Sequence, residues 1–226
     1  QMIVSSQKYF PNMQVLGLMP SIMDAIVPND LGQFHSFYMN DPWNYYIYRF
    51  LLLELGIPAD NDERITSYTP QVGSRMIPTR RNLRQVITSL TNSFLGIFSS
   101  RADAFIFKSY LPFFQNLQLH IKLGQMPRIW NLVSSPLITL ADMNHRTWKC
   151  EFSGKSEFEV LLKKLIPIQI PKVYLEGYKT ARDKIKRLAW PKSPTFIFTS
   201  NSHESDDVFK LWAAEKVENR IPMYVG

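Results

Sequence analysis

Between Ser193 and Gly226 the chain passes from an apolar run to a polar turn, then to a helical stripe and a second apolar run. Thr195-Phe-Ile-Phe-Thr199 is β-branched and aromatic and follows Pro194, which predicts a buried strand. Ser205, Asp206 and Asp207 supply an N-cap and first-turn acids, so a helix is predicted to start there. Val208, Phe209, Leu211, Trp212 and Val217 give that helix its apolar stripe, and Pro222-Met-Tyr-Val-Gly226 reads as the next strand. Strand, helix and strand in this order predict a βαβ unit with parallel strands and a right-handed crossover. Ligands of open α/β sheets bind beyond the carboxyl ends of the strands, where Thr199-Ser-Asn-Ser-His203 lies.

Upstream the pattern is mostly helical. Asp41-Pro42 reads as N-cap and first helical residue, and Gly56 as the C′ residue, of a helix over 41–55 that is apolar nearly all round and so expected to be buried on several sides. Residues 57–78 are polar and turn-rich and read as a loop; a second helix is expected over about 82–98. Ala104-Phe-Ile-Phe107 predicts a short strand, followed by a helix from about Pro112 to Leu123. Pro127 and Pro136 deny 124–140 a long regular element, and Trp148 to Phe152 reads as half-buried strand. Ser156-Glu-Phe-Glu159 fits a capping box for a helix stopped by Pro167, and Pro171 opens a longer helix to about Leu188. The pattern is α/β: a helical or irregular segment over 1–100, with short apolar pieces such as Val15 to Met19 that resist assignment, precedes a Rossmann-like, mainly parallel domain over 101–226.

Composition narrows the functional classes. The 45% hydrophobic and 20% charged content of the 226 residues is that of a globular protein. The single cysteine, Cys150, excludes a disulfide within the sequence, and the four histidines are scattered without metal-ligand spacing, so no metal and no other cofactor is expected. No run of 18 apolar residues could span a bilayer, and no signal peptide is visible, which fits a cytoplasmic protein. The formal charge of +7 is concentrated in Arg75 to Arg84 and Lys179 to Lys192 and attracts anions, including an anionic membrane surface. Arg80, Arg81 and Arg84 can face such an anion or stay solvated, and the mixed signs from Lys179 to Arg187 suit a solvated helix face. No nucleic-acid-binding signature accompanies the charge, so no specific nucleic-acid partner is expected.

Three blocks carry a resemblance: Ala104-Phe-Ile-Phe-Lys-Ser-Tyr-Leu111 with Leu123-Gly-Gln-Met-Pro127; Tyr174-Leu-Glu-Gly177; and Phe198-Thr-Ser-Asn201 through Phe209-Lys-Leu-Trp-Ala-Ala214 to Tyr224-Val-Gly226. They resemble a family of transferases from bacterial surface-polysaccharide gene clusters, distantly similar to capsule Kdo transferases and CDP-glycerol glycerophosphotransferases. The resemblance implies a two-domain GT-B glycosyltransferase with Rossmann-like halves across a cleft. It also implies a Gln-His-Gly-Gly sequence after the position matching Gly226, which makes this chain the N-terminal, acceptor-side half, truncated at its C-terminus. The partners implied are a nucleotide-sugar donor and a glycan or lipid-linked acceptor, with the protein cytoplasmic or peripheral at the inner membrane face. The alternative is a non-catalytic binding or scaffold domain for an anionic glycan or nucleic acid.

The candidate residues follow from the turn. Thr199, Ser200 and Asn201 bring hydroxyls, an amide and backbone N–H groups to the sheet lip, where they can hold a phosphate or sugar hydroxyl or simply serve as turn and cap chemistry. His203 beside Glu204 is a candidate general base or an exposed loop histidine. Glu176, next to the apparent mid-helix glycine Gly177, is a second candidate base or acceptor ligand, against a surface carboxylate. Tyr110 is positioned to stack on a sugar ring or to pack in the core, and Lys210 to reach the anion site or the solvent.

Overall fold

The computed structural model describes residues 15–17, 27–57, 59–61, 103–128, 130, 132–151 and 153–226. The predicted helix over 82–98, the loop over 62–78 and the basic run Arg75 to Arg84 lie outside the described residues.

Three strands form the central sheet in the order β3-β4-β5: β3 is Phe105–Phe107, β4 is Ile197–Thr199 and β5 is Met223–Val225. Both pairings are parallel, with Phe105 opposite Ile197 and Ile197 opposite Met223. A parallel pair needs a crossover, and the β4-to-β5 crossover is α7, Asp207–Glu218, preceded by the single turn α6, Ser202–Ser205. The strand–helix–strand order and the parallel pairing of this C-terminal unit are therefore as the apolar pattern predicted. A separate two-stranded parallel pairing joins β1, Val15–Gly17, to β2, Ala59–Asn61, so the polar Asp60-Asn61 pair belongs to a strand and not to the expected loop.

The core lies where α7 and α5, Tyr178–Lys186, pack on each other and cover one face of the sheet. Phe105, Phe107, Ile197, Phe209, Trp190 and Trp212 are all buried there. Phe107 stacks on Phe209 with 5.1 Å between ring centroids, and Phe105 meets Trp212 at 4.5 Å. Such aromatic contacts add about 0.5–1.5 kcal/mol each to the burial itself. β3 is buried throughout, whereas Tyr224 and Val225 of the edge strand β5 are exposed.

Among the described residues of the N-terminal part, α1, Leu31–Tyr38, packs on α2, Asp41–Glu54, which also contacts β1 and β2. Asp41 is the first residue of α2 and Asn40 is its N-cap, one position earlier than the sequence suggested, while Gly56 takes a φ of 70° just past its end, as expected for a C′ glycine. α2 buries Tyr46, Arg49 and Leu52 at three-residue spacing and exposes Tyr45, Tyr48 and Leu53, so its burial is one-sided.

Three further expectations are corrected. Trp148 to Glu151 is not strand but exposed, irregular chain with Cys150 half-buried. α4, Glu157–Gln169, starts with the predicted capping box between Ser156 and Glu159 but runs through Pro167 to Gln169. Proline removes only the one donor that would serve the carbonyl four residues back, and separately every helix leaves its last carbonyls without intrahelical donors. Here Arg146 binds the carbonyls of Pro167, Ile168 and Ile170 at 3.2, 2.9 and 2.7 Å. Finally, the segment after Pro171 is a 3₁₀ turn, Lys172–Tyr174, and α5 begins only at Tyr178, with Gly177 as its N-cap and not inside it. A Cβ on Gly177 would sit 2.6 Å from Ile138 Cγ1, so close packing accounts for the glycine. Among the described residues, α3 spans Phe113–Lys122, close to the predicted bounds.

Candidate functional site

Parallel pairing puts the ends of all three strands at one edge, where Lys108 to Tyr110, Ser200 to His203 and Gly226 come together. Backbone bonds fix this edge: Ser200 N–H donates to the Lys108 carbonyl at 3.4 Å, and Gly226 N–H donates to the Thr199 carbonyl at 3.2 Å. Ser200 Oγ accepts the Tyr110 N–H at 3.1 Å, tying the chain after β3 to the turn after β4.

Within the turn the side chains divide by accessibility. Thr199 is fully buried and its Oγ1 accepts the Ser202 N–H at 3.2 Å, which is capping chemistry. Asn201 is half-buried, stands at the N-cap of α6 and makes no side-chain capping bond. Ser202 Oγ and His203 Nδ1 are buried without hydrogen-bond partners. His203 Nε2 lies 3.6 Å from Glu204 Oε1, with a third of the imidazole exposed. The Tyr110 ring is 74% exposed, which excludes core packing and leaves its face free for a ligand.

A polar cluster backs the turn at the start of α7. Asp206 caps the helix through Phe209 N–H at 3.0 Å, and its other oxygen pairs with Lys108 Nζ at 3.2 Å. Asp207, also buried, accepts the Leu31 N–H at 2.9 Å and the Tyr174 hydroxyl, and has Lys210 Nζ 3.8 Å away. Burial and then the bond to Asp207 push the Tyr174 hydroxyl well above its ordinary pKa, so it stays a donor. Lys210 is thus held beside a carboxylate at the site's margin.

Glu176 is placed differently. Its two oxygens take the Arg146 Nε and Nη2 hydrogens at 2.8 Å each, and Oε1 also accepts the Asp142 N–H at 2.9 Å. Burial by itself would raise this carboxyl, but the Arg146 and backbone hydrogen bonds outweigh it and hold the group below the usual carboxylate range. The Arg146 side chain is fully buried, so the pair is a structural tie between the 143–146 turn, the end of α4 and the start of α5.

The structure therefore brings Tyr110, Thr199, Ser200, Asn201 and His203 to one edge, places Lys210 near Asp207 at the start of α7, and commits Glu176 elsewhere. Lys108 was not among the sequence candidates. Its signal is positional: it is the first residue past an aromatic strand, and it takes a φ of 49°, in the left-handed region that costs a lysine free energy.

These features define an α/β protein with an open parallel sheet whose strand ends carry hydroxyls, an imidazole and two lysines. The chain belongs to the LIC12162 family of transferases, described as "LIC12162 family transferase", which it matches over residues 7–226. No curated protein and no solved structure matches it.

Proposed function

We propose that this chain is the acceptor-side half of a glycosyltransferase that moves a sugar from a nucleotide-sugar donor to a bacterial surface-glycan acceptor, in a GT-B arrangement of two Rossmann-like halves. The observation that supports it most is the convergence of Ser200, Asn201, His203 and the exposed Tyr110 ring at the carboxyl edge of a parallel sheet in a transferase family. In this reading Tyr110 stacks on an acceptor sugar and Asn201 bonds its hydroxyls. His203 Nε2, since Nδ1 is buried, takes the proton of the attacking hydroxyl as that oxygen bonds to the anomeric carbon and the nucleoside diphosphate leaves. Glu204, 3.6 Å from Nε2, stabilises the imidazolium that results. Glu176 acts through Arg146 by holding the segment from which Tyr174 reaches Asp207.

The test is acceptor dependence in the full-length protein. Asn201→Ala and Tyr110→Ala are expected to raise the acceptor KM by about tenfold or more while leaving the donor KM unchanged, at one lost hydrogen bond or ring contact each. Equal acceptor KM values in wild type and both variants would remove the acceptor site from this edge.

A further inference from the structure

Three consecutive residues past β3 are each held by a different element. Lys108 Nζ pairs with Asp206, the N-cap of α7, at 3.2 Å, and Asn116 Nδ2 of α3 donates to Ser109 Oγ at 3.0 Å. The Tyr110 N–H donates to Ser200 Oγ, in the turn after β4, at 3.1 Å. The Ser200 N–H goes to the Lys108 carbonyl at 3.4 Å, so Ser200 reaches both residues that flank Ser109. A residue in a parallel ladder reaches its neighbouring strand in this way, through its N–H and its carbonyl. Here the hydroxyl stands in for the carbonyl. The β3–β4 pairing is thereby carried one step past Thr199 while the chain turns into α6. Lys108, at a φ of 49°, turns the chain after β3 at the same point. The Tyr110 ring leaves this anchored backbone with 74% of its surface exposed.

We propose that Ser200 is a positioning residue: its hydroxyl sets the Tyr110 ring for the acceptor sugar and is not itself a sugar ligand. The proposal rests on the acceptor reading above and changes the part that Ser200 plays in it. An aromatic ring on a fixed backbone loses little further freedom on stacking, because only two side-chain torsions remain to be ordered. On a loose arm the ligand would have to order the backbone as well, at a cost in affinity. The Lys108 and Ser109 side-chain anchors act upstream, so the Ser200 hydroxyl is the contact made by the Tyr110 backbone itself.

The test joins amide exchange to an acceptor KM cycle in the full-length protein. Ser200→Ala is expected to speed hydrogen exchange at the Tyr110 amide about three- to tenfold, while Ser200→Thr, which keeps a hydroxyl, stays close to wild type. Ser200→Ala is also expected to raise the acceptor KM about three- to tenfold with the donor KM unchanged, and Ser200→Thr to restore it. In a Tyr110→Ala background Ser200→Ala should add no further rise, because the ring that it positions is gone. A rise of equal size in that background would make Ser200 a sugar ligand in its own right and overturn the proposal. So would an unchanged Tyr110 exchange rate in Ser200→Ala, or an acceptor KM that responds to Tyr110→Ala but not to Ser200→Ala. Exchange is read without acceptor, so a failure there is separate from failure of the acceptor reading. An acceptor KM left unchanged by Tyr110→Ala would sink that reading, and this proposal with it.

Discussion

Arg146 links three parts of the chain that are distant in sequence, through three carbonyls at the end of α4 and both oxygens of Glu176. Removing one partner of a buried pair leaves the other charge uncompensated, so Arg146→Met is expected to cost about 3–5 kcal/mol in chemical denaturation. The Glu176 carboxyl is depressed in the folded state, so its stabilisation is present above the unfolded pKa of about 4.3 and is lost as pH falls through the lower folded value. Acid unfolding of Glu176→Gln is therefore expected to show a shallower pH dependence below about pH 4.3 than wild type. Equal slopes would mean that the carboxylate is not held in this way. At Gly177 the added methyl of Gly177→Ala would meet Ile138 at 2.6 Å and the Val173 Cα at 3.1 Å. A loss of about 1–3 kcal/mol is expected, and adding Ile138→Ala, which removes the clashing Cγ1 and Cδ1, is expected to add less destabilisation in the Gly177→Ala background than in wild type.

At the level of elements, the features written into local sequence were legible and those satisfied from a distance were not. The Ser156–Glu159 box, the Asp206 cap and the apolar β3, β4 and β5 runs all lie within one element and its flanks. Pro167 and Gly177 were misread because the groups that settle their surroundings, Arg146 on the last carbonyls of α4 and Ile138 against the glycine, stand 21 and 39 residues away. The same reasoning divides the candidate site. The Thr199 to His203 turn follows from strand and helix periodicity, whereas the commitment of Glu176 to Arg146 depends on tertiary contact. Asp206 serves two elements, capping α7 and pairing Lys108 after β3. Asp206→Ala is expected to lower stability by about 1–2 kcal/mol through the lost cap, and to shift the backbone signals of Lys108 to Tyr110 as well as those of α7. Changes confined to α7 would show that the lysine pair contributes nothing to the edge.

Across the described residues, a three-stranded parallel sheet packs its aromatic core against α5 and α7, and Tyr110 and the 199–203 turn stand at its carboxyl edge. Family membership supplies the class of chemistry, and the edge is where the proposed site gathers its polar groups. His203 is the one imidazole in the turn after β4, with Glu204 as its only acidic neighbour within ion-pair range among the described residues. The central claim is that this imidazole takes the acceptor proton. The most direct measurement is the single-turnover rate of sugar transfer by the full-length protein at saturating donor and acceptor, for wild type and His203→Ala matched in thermal stability. The proposed role predicts a fall of about a hundredfold or more with acceptor binding retained. A His203→Ala protein that transfers at the wild-type rate would contradict it and leave the turn as capping chemistry alone.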